Sequence, residues 1–472
     1  MRKRFALTTV VAAGLLAGTA WANPHQEISG PFAHPSEVTK TCLECHENAA
    51  KDMMKSTHWT WAAEQKINGK TVNRGKKNII NNFCIAVDSD NWPRCTSCHI
   101  SYGWKDAGFD FSDQTKMDCL VCHDTTGTYK KPGPAAGMPA GYTGNPKLDE
   151  KPVDLVKVAQ NAGASSRANC GSCHFFGGGG EGVKHGDLDS SLVKPAQEID
   201  FHMAADGLNF SCQECHKTEN HNITGNAMVV SPGGSNHFSC TSCHDEKPHK
   251  KDRLNKHIAT VACQTCHIPA FAKDKPTKIY WDWSTAGQDK DAPLDEYGKP
   301  TYDKKKGTFF WGKNVVPTYK WYNGNAGAYE PGDKIDPAKT TLLNWPEGDI
   351  KDMNAKIHPF KVHQGKQIYD KKNMYFIKPK VWPTGKDDKV AYWKNFDWGK
   401  AAEAGMKAAG MEYSGEYDFA ATEMYWRINH MVAPAKDALK CSDCHGKKGR
   451  LNWEELGYAG DPMKNKGAAR MK

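Results

Sequence analysis

The chain has 472 residues, room for two or three ordinary domains, yet only 39% of it is hydrophobic, too little for side chains alone to fill a large core. Its formal charge is +9, or +6 once the three basic residues at positions 2–4 are subtracted, and no nucleic-acid-binding motif accompanies the excess, which excludes a nucleic-acid partner. Beyond residue 22 no apolar stretch is long enough to span a bilayer, which argues against a membrane anchor.

At the start of the chain, Arg2-Lys3-Arg4, the apolar run Phe5 to Gly18 and the small-x-small tripeptide Ala20-Trp21-Ala22 read as a signal peptide over residues 1–22. Cleavage is expected after Ala22, with a periplasmic destination. Residues 36–60 follow as a predicted helix with Ser36 as N-cap, ending near His58, a residue well placed to serve a neighbouring metal centre.

Sixteen of the seventeen cysteines fall into eight Cys-x-x-Cys-His units: Cys42, Cys45 and His46; Cys95, Cys98 and His99; Cys119, Cys122 and His123; Cys170, Cys173 and His174; Cys212, Cys215 and His216; Cys240, Cys243 and His244; Cys263, Cys266 and His267; Cys441, Cys444 and His445. Two thiols at this spacing can each add to one haem vinyl group, while the next residue offers its imidazole to the iron. Zinc sites, disulfides and redox pairs share the cysteine spacing, but none requires a histidine directly after every pair. The expectation is eight covalently bound haem c groups, whose flat apolar surfaces would supply the buried area that the side chains lack. Eight ferric haems with two propionates each would bring the mature chain to about −2, so its basic composition says little about partners.

Seven units crowd into a haem-dense region, residues 23–274, with Gly and Pro clusters at 131–144 and 177–182 between them. Twelve of the twenty histidines stand outside the units. His58, His185, His202, His221, His237, His249, His257 and His430 are the candidates for second axial ligands; His25, His34 and His358 are spare. A second histidine closes a haem for electron transfer, whereas a haem that handles substrate must keep or free one position.

Residues 275–350 carry no unit but concentrate aromatics, among them Trp281, Trp283, Phe309, Trp311, Trp321 and Tyr322. These suggest an aromatic wall over the haem core with strand content near 308–316, and less readily a carbohydrate-binding surface. Residues 351–472 read as a helical C-terminal region with the eighth unit. Helices are predicted over 400–411 and over 416–432, the latter from an apolar stripe of Phe419, Met424, Ile428 and Met431, with His430 on the same helix. The predicted fold is mainly α with extensive loops, a multihaem cytochrome wrapped on a packed haem chain, with little β structure confined to 275–350.

The eight units in this spacing, with Asn81-Asn82-Phe83-Cys84, Cys170-Gly171-Ser172-Cys173-His174-Phe175, Val183-Lys184-His185-Gly186-Asp187 and Ile428-Asn429-His430-Met431, closely resemble the octahaem tetrathionate reductase family over nearly the whole mature chain. That family is similar in haem arrangement to the pentahaem nitrite reductases and octahaem hydroxylamine oxidoreductase, although a Cys-x-x-Cys-Lys unit of the nitrite reductase kind is absent. The resemblance implies catalysis at the second haem, held by Cys95, Cys98 and His99, with Lys184 as its distal ligand and Cys84 facing the same pocket. Glu181 stands where the family has an aspartate and would manage protons; His363, beside Lys361 and Lys366, is a further candidate for the pocket and otherwise a spare axial ligand. Cys84 also stands out unaided, since an odd thiol in an oxidising compartment risks mispairing. The implied substrate is a small inorganic oxyanion, tetrathionate, with nitrite or hydroxylamine as alternatives and a pure electron conduit as the rival. Electrons would come from a redox partner protein or a quinol-oxidising cytochrome.

Overall fold

The computed structural model describes residues 23–83, 85–228 and 237–465. The signal peptide expected over residues 1–22, and Cys84, lie outside the described residues. No helix among the described residues is long and apolar enough to cross a membrane.

Up to about residue 274 the chain is short helices joined by long loops, with an antiparallel hairpin of Ala63–Ile67 and Lys70–Arg74 and a two-residue pair at Thr218–Glu219 and Asn222–Ile223 among them. The first helix, α1 (Pro35–Cys45), begins two residues earlier than a serine cap at Ser36 predicts. His34 caps it by accepting from the Ser36 N–H, the Glu37 carboxylate accepts from the Ala33 N–H at 2.7 Å, and Pro35 occupies the first turn, where its missing donor costs nothing. The expected run to residue 60 is broken at His46, which leaves helical geometry, and resumes only as single turns at Ala49–Met53 and Thr57–Thr60. A second helix, α2 (Arg167–His174), carries the fourth unit and is capped by Ser166 and Asn169.

From residue 277 the chain builds an eight-stranded sheet: β1 (Thr277–Asp282), β2 (Tyr302–Asp303), β3 (Gly307–Gly312), β4 (Thr318–Tyr322), β5 (Thr341–Leu342), β6 (Lys356–Asp370), β7 (Tyr375–Phe376) and β8 (Tyr417–Arg427). The order is β5-β8-β6-β1-β3-β2, and β4 and β7 also pair with β6. Strand β6 is the spine: it runs antiparallel to β8 from Phe360↔Arg427 to Asp370↔Tyr417 and parallel to β1 through Gly365↔Trp281. Helix is 23% of the chain and strand 18%, which does not confirm a mainly α description, and the strands are not confined to 275–350. The loop-rich multihaem half of the expectation holds.

The helix expected over 416–432 is a strand to residue 427, and His430 lies in the loop beyond it. Ala420, Thr422, Met424 and Trp426 all point inward, a period of two that the stripe chosen at near-helical spacing concealed. Eleven ladder positions against β6 then outweigh any local helical tendency. The helix predicted over 400–411 is present as α3 (Trp398–Ala408), capped by the Asp397 carboxylate on the Lys400 N–H at 3.0 Å. Between α3 and the sheet lies the main apolar core. There Tyr392 stacks on Trp398 at 3.7 Å, and the aromatic wall of the sequence becomes sheet packing such as Trp281 on Trp283 at 4.7 Å.

Candidate haem-binding cavity and the second unit

The loop-rich half folds around a cavity of 4490 Å³ walled by cysteines from all eight units. That is about 560 Å³ per unit, within the roughly 300–1,000 Å³ of a single ligand site. Thiols of different units touch, Cys42 with Cys119, Cys98 with Cys173, Cys170 with Cys212 and Cys240 with Cys263, so the units run on from one another along the cavity.

Across this cavity, among the described residues, seven unit histidines each face a second imidazole. The ring centroids are 6.1 Å apart for His46 and His25, 6.0 Å for His174 and His58, and 6.4 Å for His123 and His221. They are 6.2 Å apart for His216 and His430, 6.1 Å for His244 and His202, 6.1 Å for His267 and His249, and 6.3 Å for His445 and His257. Interplanar angles scatter from 16° to 73° while the spacing hardly changes, so what is conserved from pair to pair is a distance rather than ring stacking. Two imidazoles bonded to one metal at about 2 Å each have centroids about 6 Å apart. The outer nitrogens are anchored: Nδ1 meets the Gly163 carbonyl in His123, the Thr224 carbonyl in His216 and the Arg253 carbonyl in His257, each at 2.8 Å. In His430 it meets Asp187 at 3.0 Å and in His445 Asp461 at 2.7 Å. Such anchors orient the ring and leave Nε2 for the metal. These residues fit haem.

His58 reaches the fourth unit from the first unit's own stretch of chain. His25 belongs to a pair although the sequence left it spare; it sits on a short turn, Pro24–Glu27, with nothing in its surroundings to mark it. His185 and His237, both expected as ligands, line the cavity, but none of the seven pairs includes them, and the His185 ring packs on Trp426 at 5.4 Å. His358 also lines the cavity, its Nδ1 3.0 Å from the Pro359 carbonyl.

The second unit departs from the pattern. His99 is 0% exposed, with Nδ1 2.6 Å from Ser101 Oγ and Nε2 2.6 Å from the Trp59 carbonyl. Its ring sits in a box of Trp59, Trp61, Trp104, Phe109 and Phe111. Burial pushes it down to about 3, so it is neutral. With both ring nitrogens engaged, His99 does not present a lone pair to the cavity as the sequence leads one to expect of it. Cys95 and Cys98 still line the cavity, and so does Lys184.

Lys184 reaches that wall through a built loop. Its N–H donates to the Gly177 carbonyl at 3.1 Å, and Gly182, at φ +66°, turns the chain where a side chain would strike the Pro276 carbonyl. From β6 the buried Lys361 ammonium donates to the carbonyls of Val183 at 2.9 Å and Lys184 at 3.0 Å and to Thr277 Oγ1 at 2.7 Å, clamping the peptide that carries Lys184. The Lys184 amine lies over the Trp426 ring, 4.9 Å from its centroid. Burial, reinforced by the neighbouring Lys76 charge and opposed by Cys98, lowers it to about 7. Only the deprotonated amine has a lone pair for a metal, and a lysine lowered this far presents it near neutral pH.

The remaining expected site residues stand elsewhere. Glu181 is not on the cavity wall; its Oε1 accepts from the Ser190 N–H at 3.0 Å and braces the loop, which does not suit the proton-handling role expected of it. His363 is 0% exposed within β6, its Nδ1 3.0 Å from Asn82 Oδ1, inside the sheet core rather than on the cavity wall.

Family models match two stretches, one described as cytochrome c7 and related cytochrome c over residues 196–273, the other as cytochrome c bacterial over residues 278–448. An uncharacterized protein of Archaeoglobus fulgidus is 27% identical over 235 residues, 41% of this chain and 77% of that protein. The crystal structure of an octaheme cytochrome c from Shewanella oneidensis superposes with a TM-score of 0.89 at 58% identity, covering 96% of this chain and 100% of that one. Likeness of this extent, over a chain with one attachment unit for each of eight haems, makes the protein a member of the octahaem c-type cytochromes, with eight covalently bound haem c groups and a redox, electron-transferring role.

Proposed function

We propose that the chain is a periplasmic oxidoreductase that reduces tetrathionate to two thiosulfates at the haem attached through Cys95 and Cys98, with the Lys184 amine as its ligand in place of His99. The observation that carries this reading is the break in pattern: seven unit histidines face a second imidazole, and the eighth is boxed in aromatics with both nitrogens engaged. A chain built only to relay electrons has no need of such an exception.

Bound haem supplies one-electron steps at a chain of centres, enough to deliver the two electrons that tetrathionate takes up as its central sulfur–sulfur bond breaks. No proton is consumed when both products leave as thiosulfate, so the reaction does not require an acid in the position expected of Glu181. The part of the polypeptide is to hold Lys184 through Lys361, to wall the site with Trp61 and Phe83, and to keep the other seven units closed with histidine pairs. Electrons reach the pairs from a redox partner protein.

The test is spectroscopic and then kinetic. The ferric protein should show one amine-ligated or high-spin component among eight, shifting when sulfite, nitrite or cyanide is added, and the reduced protein should be reoxidised by tetrathionate with two electrons per molecule. Eight inert bis-histidine signals would establish a conduit instead. Reoxidation by nitrite or hydroxylamine but not tetrathionate would move the substrate to nitrogen.

A further inference from the structure

Three cations influence the second unit: Lys76, Lys131 and Lys184 all act electrostatically on Cys98. They are not equivalent. Lys131 is neutralised by Asp118 at 2.8 Å and bonded to the carbonyls of His99 at 2.7 Å and Ser101 at 3.1 Å. Lys184 acts as a neutral amine if it binds metal. Among the described residues no ion pair reaches Lys76, although it lines the cavity with Trp61, Asn81, Phe83, Cys98 and Lys184.

Its position is built. A hairpin of Ala63–Ile67 and Lys70–Arg74 delivers the chain to Gly75, where any side chain would strike the Trp61 backbone at 2.2 Å, so only glycine lets the turn lie against it. The Lys77 N–H then donates to the Trp61 carbonyl at 3.3 Å, and the Asn78 and Ile79 N–H groups both donate to the Gly75 carbonyl at 3.1 Å. Trp61 holds a left-handed φ of 48°, costly for a bulky residue and most often kept at functional sites. From that strained position its ring meets His99 edge-on at 5.0 Å and carries the Lys76 ammonium 4.1 Å from its centroid. A cation poised on an aromatic face without a carboxylate keeps its charge for a visitor.

We propose that Lys76, held over Trp61, is the residue that recognises an anionic group of the substrate at the second unit, a sulfonate or sulfite-like oxyanion rather than a neutral molecule. This rests on the reading of that unit as the reaction site and supplies its selectivity. A partly shielded cation on a low-dielectric wall forms a strong charge-assisted hydrogen bond to an oxyanion and gives nothing comparable to an uncharged ligand.

The test is equilibrium binding on the full holoprotein, read from visible difference spectra, with sulfite as the anionic probe and carbon monoxide on the reduced protein as the neutral one. Lys76→Gln should weaken sulfite about ten-fold or more and leave carbon monoxide within about two-fold, and Lys76→Arg should recover most of the loss. Raising ionic strength should weaken sulfite binding in the wild type more than in Lys76→Gln. Unchanged sulfite affinity, or an equal loss for both probes, overturns the proposal and leaves Lys76 to a haem propionate or to packing. Wild type that binds carbon monoxide but not sulfite overturns it as well. Tetrathionate turnover, measured in parallel, reports separately on the substrate: sulfite binding that depends on Lys76 without such turnover would refute tetrathionate and keep the anion site.

Discussion

Lys361→Met tests the clamp on Lys184. Methionine keeps much of the length and apolar bulk of a side chain that is 0% exposed, so packing changes little, but it removes three donations, to Val183 O, Lys184 O and Thr277 Oγ1. Thr277 Oγ1 keeps its bond to the Gly182 carbonyl at 2.6 Å, so the loss falls on two buried carbonyls. Stranding each costs about 1–3 kcal/mol, and relief from burying a cation, which lowers Lys361 to about 7 in spite of Asp187, returns part of that. The expected net loss is about 2–4 kcal/mol. With an unfolding entropy of about 2.1 cal/mol/K per residue over roughly 450 residues, the thermal midpoint should fall by about 2–4 °C. The same sample should lose the amine-ligated component of its ferric spectrum, because the freed 183–184 peptide no longer aims Lys184. An unchanged midpoint with an intact amine signature would refute the clamp, and a lowered midpoint with that signature intact would leave Lys361 a stabilising role only.

Further outcomes follow from other parts of the fold. His25→Ala should open one haem and add a high-spin component, whereas His185→Ala should not, and ferric spectra of the two variants compared side by side check the pairing. Gly186→Ala would place a methyl 2.4 Å from the Phe271 ring and 3.2 Å from Lys361 Cδ, costing about 1–3 kcal/mol in a denaturant titration. Asp388 should contribute to acid sensitivity. Burial alone would raise its carboxyl, but N–H donors from Ala391, Thr384 and Val390 and the Lys380 ammonium at 3.0 Å hold it below the usual carboxylate range. A folded value below the unfolded one means stability that is complete above about pH 4 and lost as pH falls through the folded value. Melts of wild type and Asp388→Asn should therefore converge toward low pH, and a constant gap from pH 7 to pH 3 would contradict this account.

What could be read along the chain was chemistry whose partners are close in sequence. A Cys-x-x-Cys-His unit places two thiols and an imidazole within five residues, so covalent haem attachment needs no knowledge of the fold, and α3 was legible over 400–411, although its cap at Asp397 was not. Distant partners were legible only in part. His58 and His430 could be nominated as ligands, but that His58 serves the fourth unit and His430 the fifth, and that His25 belongs while His185 does not, depends on distances set when loops cross the cavity. The stretch 417–427 suits either periodicity over a few residues, and only pairing with β6 made it a strand. Most of all, nothing in Cys95 to His99 distinguishes it from the other seven units. The aromatic box of Trp59, Trp61 and Trp104, the carbonyl of Trp59 and the clamp from Lys361 together turn the His99 nitrogens away from the cavity and bring Lys184 to its wall, because which lone pair points inward is decided by the packed fold and not by the five-residue unit.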